Sequence, residues 1–316
     1  AAQRRAQRHP YVAETRLSFL NMNMIRAPFF LLLPVLLCAQ PTIEDLLEAK
    51  TLDAIAAYDR GFDGAIGLAA IDLATGRTFS YHGSTVFAQA SSIKIPILIR
   101  AFEAAASGQF SLRDKLTLTA ADKVGGSGEI QNLLGAGPVT LSVHDLLTAM
   151  IRDSDNTATN RIIALVRMET VNRMLDELGL LNTRLRRVMI DSAAARRNLE
   201  NVSTPLEMAR LVRLLYEGKL VSPRASEDML EIMTLVDAAM RKAVPPEIRV
   251  ASKPGSVPGV ACETGIVYLP GRPFALSVMS AAAAEGAGSP VGPLTAIVLR
   301  HFQRLASINA AGHRVP

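Results

Sequence analysis

The chain has 316 residues, 49% of them hydrophobic and 20% charged, which is enough apolar material for one large domain or two intimate subdomains and too much for a disordered polymer. Its formal charge of +5 invites a nucleic-acid or membrane-surface partner, yet residues 1–39 hold five arginines (Arg4, Arg5, Arg8, Arg16 and Arg26) against one acid, Glu14, which leaves 29 basic and 28 acidic residues in the remainder. A nearly neutral body without a basic aromatic patch excludes nucleic acid.

Arg26 precedes an apolar run, residues 27–39, that is too short to span a bilayer and reads as a signal peptide cleaved after Ala39. Export to the periplasm or the medium, a start at Met22 or Met24, and no stable membrane span in the mature form are expected. Of the two cysteines, Cys38 leaves with that segment, so Cys262 has no intramolecular partner. It sits in an apolar run with no histidine nearby and reads as a buried structural thiol.

The mature part opens with an amphipathic helix over 43–58 and a hairpin of two strands, 65–73 and 77–82, turning at Ala74-Thr75-Gly76. Helical patterns then dominate over 93–106, 143–152, 157–166, 170–178, 205–216 and 227–235, with Gly125-Gly126-Ser127-Gly128-Glu129 as a flexible loop between the first two. His144 belongs to a capped helix start at Ser142. Three strands, 249–253, 264–269 and 274–280, and a last helix over 291–305 close the chain. Neither strand group makes a satisfactory sheet alone. The pattern predicts an α+β fold: a five-stranded antiparallel sheet flanked by the N- and C-terminal helices, comprising residues 40–84 and 236–316, with an all-α part, 85–235, inserted between them. The groove between the parts is the natural place for a site.

Three short motifs converge on that groove. Ser91-Ser92-Ile93-Lys94 opens an apolar helix, Ser154-Asp155-Asn156 falls in a tight interhelical turn 63 residues on, and Lys253-Pro254-Gly255 ends a strand 99 residues later. The i, i+3 spacing puts Ser91 and Lys94 on one helix face. Surrounded by Ile93, Ile95, Pro96, Ile97, Leu98 and Ile99, Lys94 is a desolvated amine whose pKa falls, which suits it to take the proton of Ser91. Pro96 stands just beyond the first turn, where a 3₁₀ or kinked start is expected. Asp155 or Asn156 also suits a helix cap, and Gly255 on an edge strand lets a ligand come close. The five histidines are scattered, with no metal-ligand spacing, and no cofactor is expected.

With Ser154-Asp155-Asn156-Thr157-Ala158-Thr159-Asn160 and Ser203-Thr204-Pro205, these motifs resemble class A β-lactamases and related serine hydrolases over residues 40–316. The resemblance implies Ser91 as acylated nucleophile, Lys94 as its base, Ser154 as proton relay, Asn156 as a substrate contact and Lys253 as anchor for the substrate carboxylate. It also implies an oxyanion hole from the backbone N–H groups of Ser91 and Ser256. Two positions depart from the family pattern. Pro254 replaces a hydroxyl residue that helps hold the carboxylate, leaving Ser252 or Ser256 to compensate. The glutamate that activates the deacylating water has no counterpart: the register places Met189, or with a gap Val188 or Ile190, in its place. Asp191 is the nearest carboxylate and either substitutes for it or caps the segment 193–195; Glu200 lies further along. The readings are an exported serine β-lactamase, a penicillin-binding peptidase or esterase acting on cell-wall peptides, and a sensor acylated without turnover. The partner is a small β-lactam or peptide, and a monomer is expected.

Overall fold

The computed structural model describes residues 40–314; the signal-peptide segment lies outside the described residues. Helix α1 (Ile43–Gly61) starts at a reciprocal cap, in which the Thr42 hydroxyl accepts the Asp45 N–H and the Asp45 carboxylate accepts the Thr42 N–H. Strands β1 (Ala65–Asp72) and β2 (Thr78–Tyr81) form the expected hairpin. Its turn is closed by Asp72, whose carboxylate accepts the N–H groups of Ala74 and Thr75. A short strand β3 (Phe87–Ala88) leads into a 3₁₀ turn, Ala90–Ile93, and helix α2 (Lys94–Ala106). The tight start foreseen from Pro96 is therefore present.

The helical part continues through β4 (Lys115–Leu118), α3 (Ile130–Leu133), β5 (Val139–Ser142), α4 (Val143–Arg152), α5 (Asn156–Val166), α6 (Met168–Glu177) and α7 (Ser192–Arg196). It ends with β6 (Val202–Ser203), α8 (Pro205–Tyr216) and α9 (Pro223–Thr234), after which α10 (Ala239–Lys242) leads back to the sheet. Helix α9 begins four residues before the hydrophobic pattern does, because Ser222 caps it and Pro223 fills its first turn. The two-stranded pairs β3–β6 and β4–β5 are too short to leave a period in the sequence.

Strands β7 (Val250–Val257), β8 (Val260–Val267) and β9 (Phe274–Ala281) and helix α11 (Val291–Ala306) complete the chain. The main sheet is antiparallel throughout, in the order β2-β1-β9-β8-β7. β7 runs four residues past the predicted end at Lys253, and β8 starts four before Thr264. Pro254 cannot donate to a ladder and marks a strand end in sequence, whereas β7, the edge strand expected here, carries the proline within it.

Both faces of the sheet are covered. α1 and α11 lie over one, around Ile55, Ile66, Leu68, Phe274 and Phe302; the helical part packs on the other, around Ile95, Ile97, Leu98, Leu147 and Met208. Alternation along β7 and β8 puts Lys253, Gly255, Cys262 and Thr264 on the second face, toward the helices. There α2, apolar on nearly every side, is enclosed from Lys94 to Phe102. None of the helices among the described residues is long and apolar enough to cross a membrane.

Candidate active site

Ser91 stands in the 3₁₀ turn at the mouth of α2, half-buried, and the turn is held to the sheet edge from several sides. The Ser92 hydroxyl donates to the carbonyl of Lys253 at 3.0 Å, and the Cys262 thiol donates to Gln89 O at 3.0 Å. A Cβ on Gly255 would fall 2.5 Å from Gln89 O and 2.7 Å from the backbone nitrogens of Ser91 and Ser92, so β7 reaches the serine turn only because this residue has no side chain. Ser256, which follows, is exposed on the same strand. Burial pushes the Cys262 thiol up to about 11, so it is protonated at neutral pH and serves as a structural link, as its sequence context predicts.

Lys94 is fully buried. Its Nζ is within hydrogen-bond distance of the Ser154 carbonyl at 2.7 Å, Ser154 Oγ at 3.0 Å and Asn156 Oδ1 at 3.0 Å. The amine thus engages the polar turn, and Ser91 Oγ is not among its hydrogen-bond partners. Desolvation, reinforced by the charge of Lys253 and opposed by Asp155, lowers its pKa to about 6. Lys253 is 1% exposed, and its pKa falls to about 8 through desolvation, against the opposing pull of Cys262, Glu263 and Asp153. Two buried amines of unequal basicity therefore share one place: the first is largely neutral at pH 7 and the second largely charged. The Lys253 ammonium donates no hydrogen bond among the described residues, which leaves it free for an anion.

The turn between α4 and α5 is shaped by backbone strain and capping. Ser154 has φ +54°, which aims its carbonyl and hydroxyl together at Lys94. Asp155 caps α5 through Ala158 N at 2.8 Å and also accepts Ile130 N at 2.9 Å, so of the two residues suited to cap, it is the one that does. Asn156 is thereby released for the site. Its Nδ2 gives one N–H to Gly125 O at 3.0 Å and keeps a second. The glycine-rich segment read as a flexible loop is instead a wall of the site. Gly128 lies so close to Asp155 that any Cβ would overlap the carboxylate, and the Asn156 N–H donates to Ser127 O.

Residues 186–201 form a clamped loop. Asn160 donates to Met189 O at 3.1 Å and accepts Met189 N–H at 2.8 Å, Arg187 makes an ion pair with Glu200 at 2.7 Å, and Asn201 accepts the N–H groups of Arg186 and Arg187. Met189 is 7% exposed, packed in the helical core. Asp191 caps α7 by accepting Ala194 N–H at 2.9 Å and shares no hydrogen bond with Ser91, Lys94 or Ser154. Glu200 is occupied by Arg187. Sequence reasoning named Asn160 without giving it a task, although its place one turn after Asn156 on the same helix face is a signal for one. The contribution of Gly255 to the serine turn and the Arg187–Glu200 tie depend on residues far apart in sequence. Among the described residues no group of three or more His, Cys, Asp or Glu is placed to hold a metal.

Comparison with known proteins bears on the family and the fold. The chain is 26% identical over 247 residues to Beta-lactamase ROB-1 of Haemophilus influenzae, covering 76% of this chain and 79% of that one. It is 28% identical over 247 residues to the imipenem-hydrolyzing beta-lactamase of Enterobacter cloacae, covering 73% and 81%. Among solved structures, a beta-lactamase from Sphaerobacter thermophilus is 30% identical and superposes with a TM-score of 0.72 over 80% of this chain and 97% of that one. PBP-A, at 24% identity and a TM-score of 0.73, shares the fold. The model of the Beta-lactamase enzyme family matches residues 49–302, a stretch that includes the serine turn, the Ser154–Asn156 turn and the β7 edge; the chain belongs to that family.

Proposed function

We propose that the protein is an exported serine β-lactamase acylated at Ser91. The observation that carries this reading is Lys94, a wholly buried amine with a pKa lowered to about 6, tied to Ser154 and Asn156 and beside a second, charged lysine. In the first step neutral Lys94 takes the Ser91 proton as Oγ bonds to the lactam carbonyl carbon. The C–N bond then breaks, and the proton passes through Ser154 to the leaving nitrogen. Asn156 and Lys253 hold the amide carbonyl and the carboxylate of the substrate, and the Ser91 and Ser256 N–H groups face the developing oxyanion. Export rests on residues 27–39; cleavage after Ala39 leaves every described element intact, and N-terminal sequencing of exported protein is expected to begin at Gln40, whereas retention of Ala1 refutes the signal-peptide reading.

Release of the acyl group needs a water and a base, and Asp191 is the proposed base through the carboxylate oxygen that its cap leaves free. A second reading, a penicillin-binding enzyme that releases the acyl group slowly, is favoured by the apolar run Val188-Met189-Ile190, which holds no carboxylate where the family resemblance implies the deacylating glutamate. Asp191→Asn separates the two, because asparagine caps as well as aspartate does. With Asp191 as base, the variant hydrolyses the acyl-enzyme about 100-fold or more slowly and is acylated at an unchanged rate. Unchanged release contradicts Asp191 as the base, and release that is slow in both proteins supports the slow-release reading.

A further inference from the structure

Glu263 is 1% exposed, yet no lysine or arginine among the described residues forms an ion pair with it. It is the register partner of Pro254 in β7, so it lies on the α1–α11 face of the sheet, across from the face that carries Lys253. Neutral donors fill its oxygens instead. Ser252 Oγ donates to Oε1 at 2.6 Å and Met240 N–H to Oε2 at 3.0 Å, and the N–H of Ala239 adds to them. The carboxylate thereby stands in for the side-chain cap that Ala238 cannot give α10. Its strand neighbour Lys253 is a buried cation with no ion pair among the described residues.

The other charged groups packed around this pair are already engaged. Asp153, at the end of α4, is held by Nε and Nη2 of Arg152, and Asp155 caps α5. On α10, Lys242 pairs with Asp237 and Arg241 donates to the carbonyls of Val244 and Pro245. On α9, Asp228 pairs with Arg224 while Glu227 and Glu231 are exposed; Glu207 of α8 accepts from Asn182 and Thr183, and His301 of α11 bonds Thr51. Lys94 is a second amine, and the Cys262 thiol is protonated at neutral pH. A buried cation needs a counter-charge. Glu263 is the buried carboxylate beside Lys253 in the sheet.

We infer that Glu263 is a positioning residue for the proposed acylation: acting through the sheet, its carboxylate keeps Lys253 charged and able to hold an anionic substrate. The inference rests on the Ser91 reading and adds a group that reading does not use. Desolvation lowers the Lys253 pKa to about 8, and Glu263 is among the groups that oppose the fall. Burial in turn raises the Glu263 pKa, and the Lys253 charge works against that rise. Each charge favours the other across a dry layer that screens them little.

The test measures the second-order acylation constant of the full mature protein with penicillin G from about pH 5 to 9. In Glu263→Gln, which is nearly isosteric, the basic-side decline is expected to move about one pH unit toward acid. The constant then falls about fivefold at pH ~8 and stays within about 1.5-fold at pH ~6. Glu263→Asp retains the charge, and its decline stays within about half a unit of the wild type. A loss in Glu263→Gln that is equal at every pH assigns Glu263 a purely structural part and overturns the inference. Asp153→Asn alters a partly exposed residue and checks the rival counter-charge even where the glutamine variant does not fold. Its decline is expected to stay in place, because Arg152 already neutralises Asp153; a shift of about one unit there overturns the inference. A wild type that is acylated at no pH overturns the Ser91 reading and this one together, whereas a wild type whose basic-side decline survives Glu263→Gln overturns this one alone.

Discussion

Lys94 and Lys253 are the same residue type, both buried, yet they play opposite parts because their surroundings differ. Desolvation lowers both; at Lys94 the cation of Lys253 adds to it against Asp155 and the pKa falls to about 6, whereas at Lys253 the groups Cys262, Glu263 and Asp153 oppose it and the pKa falls only to about 8. The proposed acylation of Ser91 needs Lys94 neutral and Lys253 charged. Its rate therefore rises with pH as Lys94 loses its proton near 6 and declines as Lys253 loses its own near 8. A bell with its maximum near pH 7 is predicted for the second-order acylation constant, measured with a substrate whose carboxylate does not titrate in this range. A rate independent of pH from 5 to 9 contradicts the assignment of roles. The low pKa of Lys94 was readable from its isoleucine-rich neighbourhood in sequence. That its hydrogen bonds go to Ser154 and Asn156 was not, since those contacts span about 60 residues of chain and depend on how the α4–α5 turn docks.

At the scale of elements, the site is assembled by one close approach, β7 against the turn that carries Ser91. Gly255→Ala would insert a Cβ within 2.7 Å of three backbone atoms, none of which can rotate away, so the strand or the turn must shift. The expected cost is about 2 kcal/mol of stability, with acylation falling about 100-fold because the Ser91 and Ser256 N–H groups separate. Denaturant melts and acylation kinetics on one preparation check both parts; an alanine variant with wild-type acylation contradicts this account of how the site is held. The elements themselves were legible where periodicity is long. α4, α8, α11 and the β1–β2 hairpin fall within three residues of their predicted limits. Legibility failed where a rule of thumb met its exception. Pro254 marks a strand end in sequence and sits inside β7, since the edge strand expected there tolerates proline along its open side. The glycines at 125–128 read as flexibility and serve as close packing against Asp155 and Asn156. Asp191, equally a base or a cap in sequence, makes the cap bond in the fold.

For the molecule as a whole, the sheet separates two cores of unlike purpose. One, under α1 and α11, is apolar apart from a few pairs such as Thr51 with His301 and makes the platform; the other joins the sheet to the helical part and has the two lysines buried at its margin. Two expensive desolvated amines at that seam are what a catalytic groove requires and what a purely structural interface avoids. The same comparison explains why the order of elements, with strands at both ends and helices between, disclosed the architecture early, while the fate of the acyl group did not: it turns on one clamped loop and on Met189, Ile190 and Asp191 within it. The central claim is that penicillin bonds to Ser91. Mass spectrometry of the intact mature protein after mixing with penicillin G measures this directly, with Ser91→Ala beside it. The account predicts a gain of the full mass of one penicillin, localised to the peptide containing Ser91 and absent from the alanine variant; no adduct at short times together with no loss of the lactam, or an equal adduct on Ser91→Ala, would contradict it.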